Sequence, residues 1–428
     1  MVSVFTMAIL AASLALTAYL FFRHSIRSFF VWWFGVSVYM TAEPLQISKT
    51  YFHSEKEQDN ALDTLDSHSD ITKLDQNTTV LKKKISLREI ITKACPSIIT
   101  PKGEPAMFIP SLQLFNSHLQ TLYNSYLAVK RAPVPEVEYD REVFTNEDGS
   151  TFALDWSPPF SKVPPNNRPV VVMVSGIAGG SHEYYVKACA KVLISEPYNY
   201  RVLVINYRGC SRTPLTTTIL AHGGFTTDIR TAINYAKKKL HGSLMFGIGF
   251  SIGANVLTKY VGEEGSNCPL TACASICNPF DFKIAEVKNS KNKFMYKYVY
   301  NPYLTKALIN VADKNKHILN LGDHAKTISD IDDIVSESHN FESREEYYAK
   351  ASSKPYLKKI AIPILCLNSI DDPVCPSEAV EKEYYKLNPY LVLVRTYFGG
   401  HLGFFNGLKP NPWHPEPVAE FFKAIEQS

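Results

Sequence analysis

Ser251, Asp372 and His401 are the residues whose types and chain order could together carry out acyl transfer. Ser251 stands between two glycines in Gly249-Phe250-Ser251-Ile252-Gly253, where an apolar strand pattern runs into a helical one. Such a turn exposes the hydroxyl, and small neighbours avoid clashes at the sharp bend. A serine is inert by itself and needs a base, a group that orients the base, and donors for the developing oxyanion. His401, in Gly399-Gly400-His401-Leu402-Gly403-Phe404 after the final strand pattern, is the candidate base. Asp372, just before Pro373 in a turn that follows a strand pattern, is the candidate orienter, with adjacent Asp371 as the alternative. Two carboxylates sharing one site would raise a pKa, so the pair favours one pointing inward and one towards structure or solvent.

The oxyanion donors expected are the N–H of Ile252, directly after the serine, and that of Ile177 in Ser175-Gly-Ile-Ala-Gly-Gly-Ser-His182. Each such donor typically lowers the barrier by about 3 to 4 kcal/mol. The same glycines could cradle a phosphate, but the P-loop lysine and the dinucleotide spacing are missing. His222 and Asp228 are one residue too far apart for a His-x4-Asp acyltransferase box and read as structural, as do Asn206 and Arg208. Eight cysteines, at 95, 189, 210, 268, 273, 277, 366 and 375, form no Cys-x-x-Cys pair. They read as small buried hydrophobes, with no disulfide framework, metal site or cofactor expected. The serine pentapeptide alone also fits a glycine-containing turn in some other α/β domain.

Positioning these residues requires a sheet. Apolar runs at 169–174, 200–206, 243–250, 270–277, 360–368 and 391–397 alternate with helical patterns at 183–195, 225–236 and after Ser251. That alternation predicts a mostly parallel sheet with helices on both faces. Residues 142–156 read as a hairpin and 108–123 as a segment docked before the core. From about 280 to 357 the alternation stops in a Lys-, Tyr- and Asn-rich stretch, read as an inserted helical lid of a domain covering 85–428.

The N-terminal residues differ in kind. Residues 1–22 contain no charged side chain, and about 20 such residues in a helix span a bilayer. A cleaved leader would begin with positive charge, whereas Arg23 and Arg27 follow the run. The expectation is a membrane anchor over 1–43, with a single span at about 2–22, an interfacial or second apolar segment at 29–42, and a polar linker at 44–84. A sequon at Asn77 would matter only on the lumenal side. A net charge of +4 lacks the basic stripe that nucleic-acid binding needs.

Eight blocks, in order, resemble the membrane-anchored α/β-hydrolases known as abhydrolase domain-containing proteins one and three, with yeast medium-chain ethyl-ester synthases and bacterial YheT-like esterases as relatives. They are Asn116–Thr121, Ser175–Glu183, Asn206–Cys210, His222–Asp228, Gly249–Asn255, Asn278–Asp281, Leu367–Pro373 and Gly399–Phe404. The resemblance implies an α/β-hydrolase fold and a triad of Ser251, Asp372 and His401. It also implies cleavage of acyl esters of membrane lipids, phospholipase or carboxylesterase in type, at the endoplasmic reticulum or another endomembrane. Passing the acyl group to an alcohol is the alternative, and an inactive lipid-binding scaffold a further one. Ser175 and Ala254 depart from the family's usual His and Gly, which bears on substrate preference more than on the reaction.

Overall fold

The computed structural model describes residues 34–41, 44–52, 69–75, 78–124, 136–291, 293–316, 318–319, 321 and 324–428. Its centre is a nine-stranded sheet. In chain order the strands are β1 (Ser37–Tyr39), then β2 (Pro44–Phe52), β3 (Ser69–Asp75) and β4 (Thr78–Ser86) of a separate three-stranded sheet, then β5 (Asp140–Thr145) and β6 (Thr151–Ser157). They continue with β7 (Val170–Val174), β8 (Arg201–Asn206), β9 (Met245–Phe250), β10 (Ala272–Ile276), β11 (Ile364–Ser369) and β12 (Leu391–Thr396). The large sheet has the order β1-β12-β11-β10-β9-β7-β8-β6-β5. Strands β8, β7, β9, β10, β11 and β12 are mutually parallel, and β1, β6 and β5 are antiparallel to their neighbours.

The continuous apolar strands are explained by burial on both faces. In β7, Val171 and Met173 pack on the same side as the helices Tyr184–Ile194 and Pro415–Gln427. Val170, Val172 and Val174 pack on the other side, with Thr227–Lys239 and Ile252–Glu264. From β7 the chain steps to β8 on one flank and then to β9 on the other, so the strand order reverses beside β7. In open α/β sheets a ligand crevice lies outside the carboxyl ends of the strands at such a reversal. The loop after β7 carries Ile177 and the turn after β9 carries Ser251.

The lid is helical, through Phe282–Lys291, Asn301–Asp313, Ile328–Ser338 and Arg344–Ala351. Thr327 and Asp330 close a reciprocal capping box at the third of these, which fixes where that helix starts. Ala325, Ile331, Val335, Tyr347, Tyr348 and Ala351 give the lid a small core of its own.

Two stretches differ from expectation. Ser37–Tyr39, within the segment placed at the membrane interface, pairs along the sheet edge with β12. Its alternation puts Val38 and Met40 against one core layer and Tyr39 against the other. The stretch read as a polar linker carries β2, β4 and β3, paired antiparallel. Polar residues such as Lys82–Lys84 left no apolar strand pattern there in the sequence. Among the described residues no helix is long and apolar enough to cross a membrane, and the expected span at 2–22 and Asn77 lie outside them.

Candidate active site

Ser251 sits at φ 54° and ψ −121° between β9 and its helix, a backbone state that costs a non-glycine residue about 1 to 3 kcal/mol. Its N–H donates to the Ile276 carbonyl of β10 at 2.8 Å, which ties the bend to the next strand. The flanking glycines are required by space. A methyl on Gly253 would stand 2.2 Å from the Ser175 carbonyl oxygen, and one on Gly249 would stand 2.5 Å from Gly253 O. The bend therefore packs directly under the loop that follows β7.

His401 reaches the serine from the far side. Its Nε2 lies 2.9 Å from Ser251 Oγ, and its Nδ1 lies 2.9 Å from Asp372 Oδ2. The other Asp372 oxygen accepts the N–H groups of Val374 and Cys375, both at 2.8 Å, so the carboxylate is fixed in orientation. Asp371 points elsewhere and accepts the Gly400 N–H at 2.9 Å. Burial pushes its carboxyl up to about 6. Of the two adjacent acids, one contacts the imidazole and the other holds the loop that carries it.

That loop is fixed at several further points. The His401 N–H donates to Thr121 Oγ1 at 2.8 Å, and the Ser369 hydroxyl donates to the Gly400 carbonyl at 2.8 Å. Gly400 has φ 57°, and a methyl there would be 2.4 Å from Ser117 O. Thr121 was not singled out from its chemistry, although it ends the Asn116–Thr121 block.

The loop after β7 lies against the serine, with the position of a Gly176 methyl 3.5 Å from Ser251 Cβ. The Gly176 N–H is taken by the buried Tyr185 hydroxyl at 2.9 Å, which leaves Ile177 as the next donor along the loop. Ile252 is the first residue of its helix, so its N–H has no intrahelical acceptor. Nothing in the sequence pattern marked Tyr185. Gly180 is committed to packing, because a methyl there would fall 2.4 Å from Asn206 Oδ1. Asn206 in turn accepts the Ser181 N–H at 2.9 Å and donates to Asp155, which Arg141 grips with two bonds of 2.6 Å. Ser175 is fully buried beneath this loop, and Ala254 is fully buried in the helix after Ser251.

His222 and Asp228 stand apart from the serine's partners. Arg208 clasps Asp228 through bonds of 2.8 and 2.7 Å. Burial pushes the His222 imidazole down to about 3, so it is neutral, and its Nδ1 accepts the Gly224 N–H at 3.1 Å. Cys277, Asp372 and His401 also hold ligand-type atoms within 4.8 Å of one another. Burial keeps the Cys277 thiol well up, hence protonated, and a thiol in that state is a poor metal ligand.

Two cavities meet at Ser251 and Ile177. One, of about 550 Å³, runs under the lid and is walled largely by apolar groups such as Phe282, Leu304, Leu308 and Val335. The other, of about 910 Å³, also borders His401 and is mixed in character, with Lys187, Arg212, Lys314 and Glu183 on its wall beside apolar groups such as Leu304 and Val311. The arrangement can move a proton from Ser251 Oγ to His401 Nε2, while the far nitrogen donates to Asp372.

A family model described as alpha/beta hydrolase fold matches residues 169–408. Embryogenesis-associated protein EMB8 of Picea glauca is 30% identical over 360 residues, 80% of this chain and 76% of that protein. Phospholipase ABHD3 of Homo sapiens is 31% identical, covering 71% of this chain and 75% of its own. Medium-chain fatty acid ethyl ester synthase/esterase 2 of Saccharomyces cerevisiae is 29% identical, covering 81% and 91%. The strand order, the serine bend and these similarities lead to one conclusion: the chain belongs to the α/β-hydrolase family, among its abhydrolase domain-containing members.

Proposed function

We propose that the protein is a serine ester hydrolase that cleaves acyl esters of membrane lipids through an acyl-serine on Ser251. The observation that carries this reading is the unbroken chain from Ser251 Oγ to His401 to Asp372, 2.9 Å at each link, at the meeting point of the two cavities. His401 takes the hydroxyl proton as Ser251 attacks the ester carbonyl, and the N–H groups of Ile177 and Ile252 receive the oxyanion. As the carbonyl re-forms, the ester C–O bond breaks and His401 returns the proton to the leaving alcohol. Water then attacks the acyl-serine by the same route and releases the acid.

The apolar cavity suits the acyl chain, and the second cavity, where Lys187, Arg212 and Lys314 outnumber the Glu183 carboxylate, suits a phosphate-bearing leaving group. The phospholipase name of the human relative is consistent with that division. The uncharged run at 1–22 fits an anchor that keeps the enzyme at its substrate. Comparing the lipids of cells carrying wild type and Ser251→Ala tests the substrate class. Acyl esters should accumulate in the variant, and an unchanged lipid profile would overturn the reading. An alcohol could also replace water at the acyl-serine, as the synthase/esterase name of the yeast relative suggests. Product analysis with an added alcohol measures how the acyl group is partitioned.

A further inference from the structure

From Pro105 to Asn124 the chain contains no Asp, Glu, Lys or Arg, and neither does the turn Leu402–Leu408. These two stretches are joined at the surface. The Ser111 N–H donates to the Phe405 carbonyl at 2.9 Å, Gln113 Nε2 donates to the Leu408 carbonyl at 3.4 Å, and Pro110 bridges Asn406. Together they display large apolar side chains to solvent: Met107, Ile109, Leu112 at 78% exposure, Phe115 at 62%, Leu119, and Leu408 at 85%.

The alternation is informative. Ala106 and Phe108 point into the core, while Met107 and Ile109 point out on the same side. An ordinary solvated surface would carry polar residues at those outward positions. Among the described residues outside the lid, Val143, Leu244 and Leu387 are exposed apolar residues far apart in the chain, and the neighbours Ile370 and Tyr397 are each only about a third exposed, as is normal for a protein surface. His118, the one titratable group within Pro105–Asn124 besides Tyr123, is pushed down by burial and stays neutral near pH 7. Lys409, exposed at the edge of the face, is the type of side chain that meets lipid phosphates.

The chain itself indicates what covers this face. Gly35 bridges Met107, and the Phe108 N–H donates to the Phe34 carbonyl at 2.8 Å. Phe34 and Gly35, the first described residues after the uncharged run at 1–22, thus lie beside the exposed side chains. Because β1 runs antiparallel to β12, with Ser37 opposite Arg395 and Tyr39 opposite Leu393, it arrives at the end of the sheet that carries Ser251 and His401. The inner side of the helix Ser117–Leu122 holds the His401 loop through Thr121. His118 on the same helix meets the lid at the Tyr300 hydroxyl, 2.7 Å away.

We propose that the face formed by Met107, Ile109, Leu112, Phe115, Leu119 and Leu408 rests in the headgroup and acyl boundary of a phospholipid bilayer. It places the site one helix away from the lipid surface, and it rests on the reading above only in taking the N-terminal run as an anchor in that bilayer.

The test uses the full chain reconstituted into phosphatidylcholine vesicles, with an environment-sensitive fluorophore on Leu112→Cys, Leu408→Cys or, at the opposite end of the sheet, Leu244→Cys. Seven of the eight native cysteines are buried, which keeps background labelling low. Lipid-borne quenchers should reduce the emission of the labels at 112 and 408 severalfold and leave the label at 244 unchanged. Equal quenching at all three positions, or none at 112 and 408, would overturn the proposal. So would energy transfer between labels at 112 on two copies, which would mean that a second copy covers the face. The readout needs no turnover, so a failure of the hydrolase reading would leave it interpretable.

Discussion

At the serine bend, a methyl on Gly249 or Gly253 would fall within 2.5 Å of backbone atoms, whereas the lid above it is held by side-chain clusters and a few hydrogen bonds. The floor of the site is therefore a backbone structure with little freedom to vary. The lid is joined to the rest of the domain by scattered side-chain contacts along its length, such as Asn289 Nδ2 donating to the Val374 carbonyl at 2.9 Å and His339 Nε2 lying 3.1 Å from the Leu220 carbonyl. Asn255, on the helix after Ser251, donates to the carbonyls of Gly223 and Ala351 at 2.7 and 2.8 Å and accepts the Ser353 N–H at 2.8 Å. Lid residues that wall the apolar cavity, such as Leu304, Leu308 and Val335, can change size without touching the backbone of the bend. Reaction type and substrate choice are carried by different kinds of structure.

That contrast makes graded predictions. His401→Ala should lower ester turnover by about a million-fold, while the bond from its N–H to Thr121 that places the loop is kept. Asp372→Asn should cost about ten-thousand-fold, while Asp371→Asn, whose amide oxygen can still accept the Gly400 N–H, should cost about tenfold at most. Equal losses in the two Asp variants would remove the division of labour between them. Gly253→Ala should destabilise the fold by about 3 kcal/mol or more, because the clash is with backbone, and denaturant unfolding measures it.

In the lid the effects should be smaller and selective. Leu308→Trp, which narrows the apolar cavity, should lower kcat/KM for long-chain esters by about ten- to a hundredfold and leave acetyl esters nearly unchanged. The smallest effect concerns Asp332, which lines the same cavity and accepts the Tyr348 hydroxyl at 2.7 Å. Burial pushes its carboxyl up to about 7. A raised carboxyl stabilises the fold fully below its ordinary pKa near 4 and loses that contribution as pH rises through about 7. Wild type should accordingly lose stability relative to Asp332→Asn between pH 4 and pH 7 by thermal unfolding, and a parallel pH dependence would contradict the burial.

The same contrast explains what was legible in the sequence. The serine bend and the histidine loop are written locally, as glycines at fixed offsets, because a backbone that cannot accept a Cβ must be encoded where it occurs. Asp371 and Asp372 could not be separated in that way. Only the turn at Val374 and Cys375 and the position of Gly400 distinguish them, and those depend on how strand ends meet. Thr121 lies 280 residues from the His401 N–H it accepts, Tyr185 takes the Gly176 N–H from the helix after the loop, and neither residue type implies its partner. The edge strand Ser37–Tyr39 was hidden for another reason: an apolar aromatic run suits a sheet edge and a membrane interface equally well.

The most direct measurement is mass spectrometry of the folded protein after treatment with a fluorophosphonate, which phosphonylates a serine activated by a neighbouring base. A single adduct on the peptide that contains Ser251, absent from Ser251→Ala and strongly reduced in His401→Ala, is the predicted result. An adduct at another residue, or none on folded wild-type protein, would contradict the assignment of Ser251 as the nucleophile.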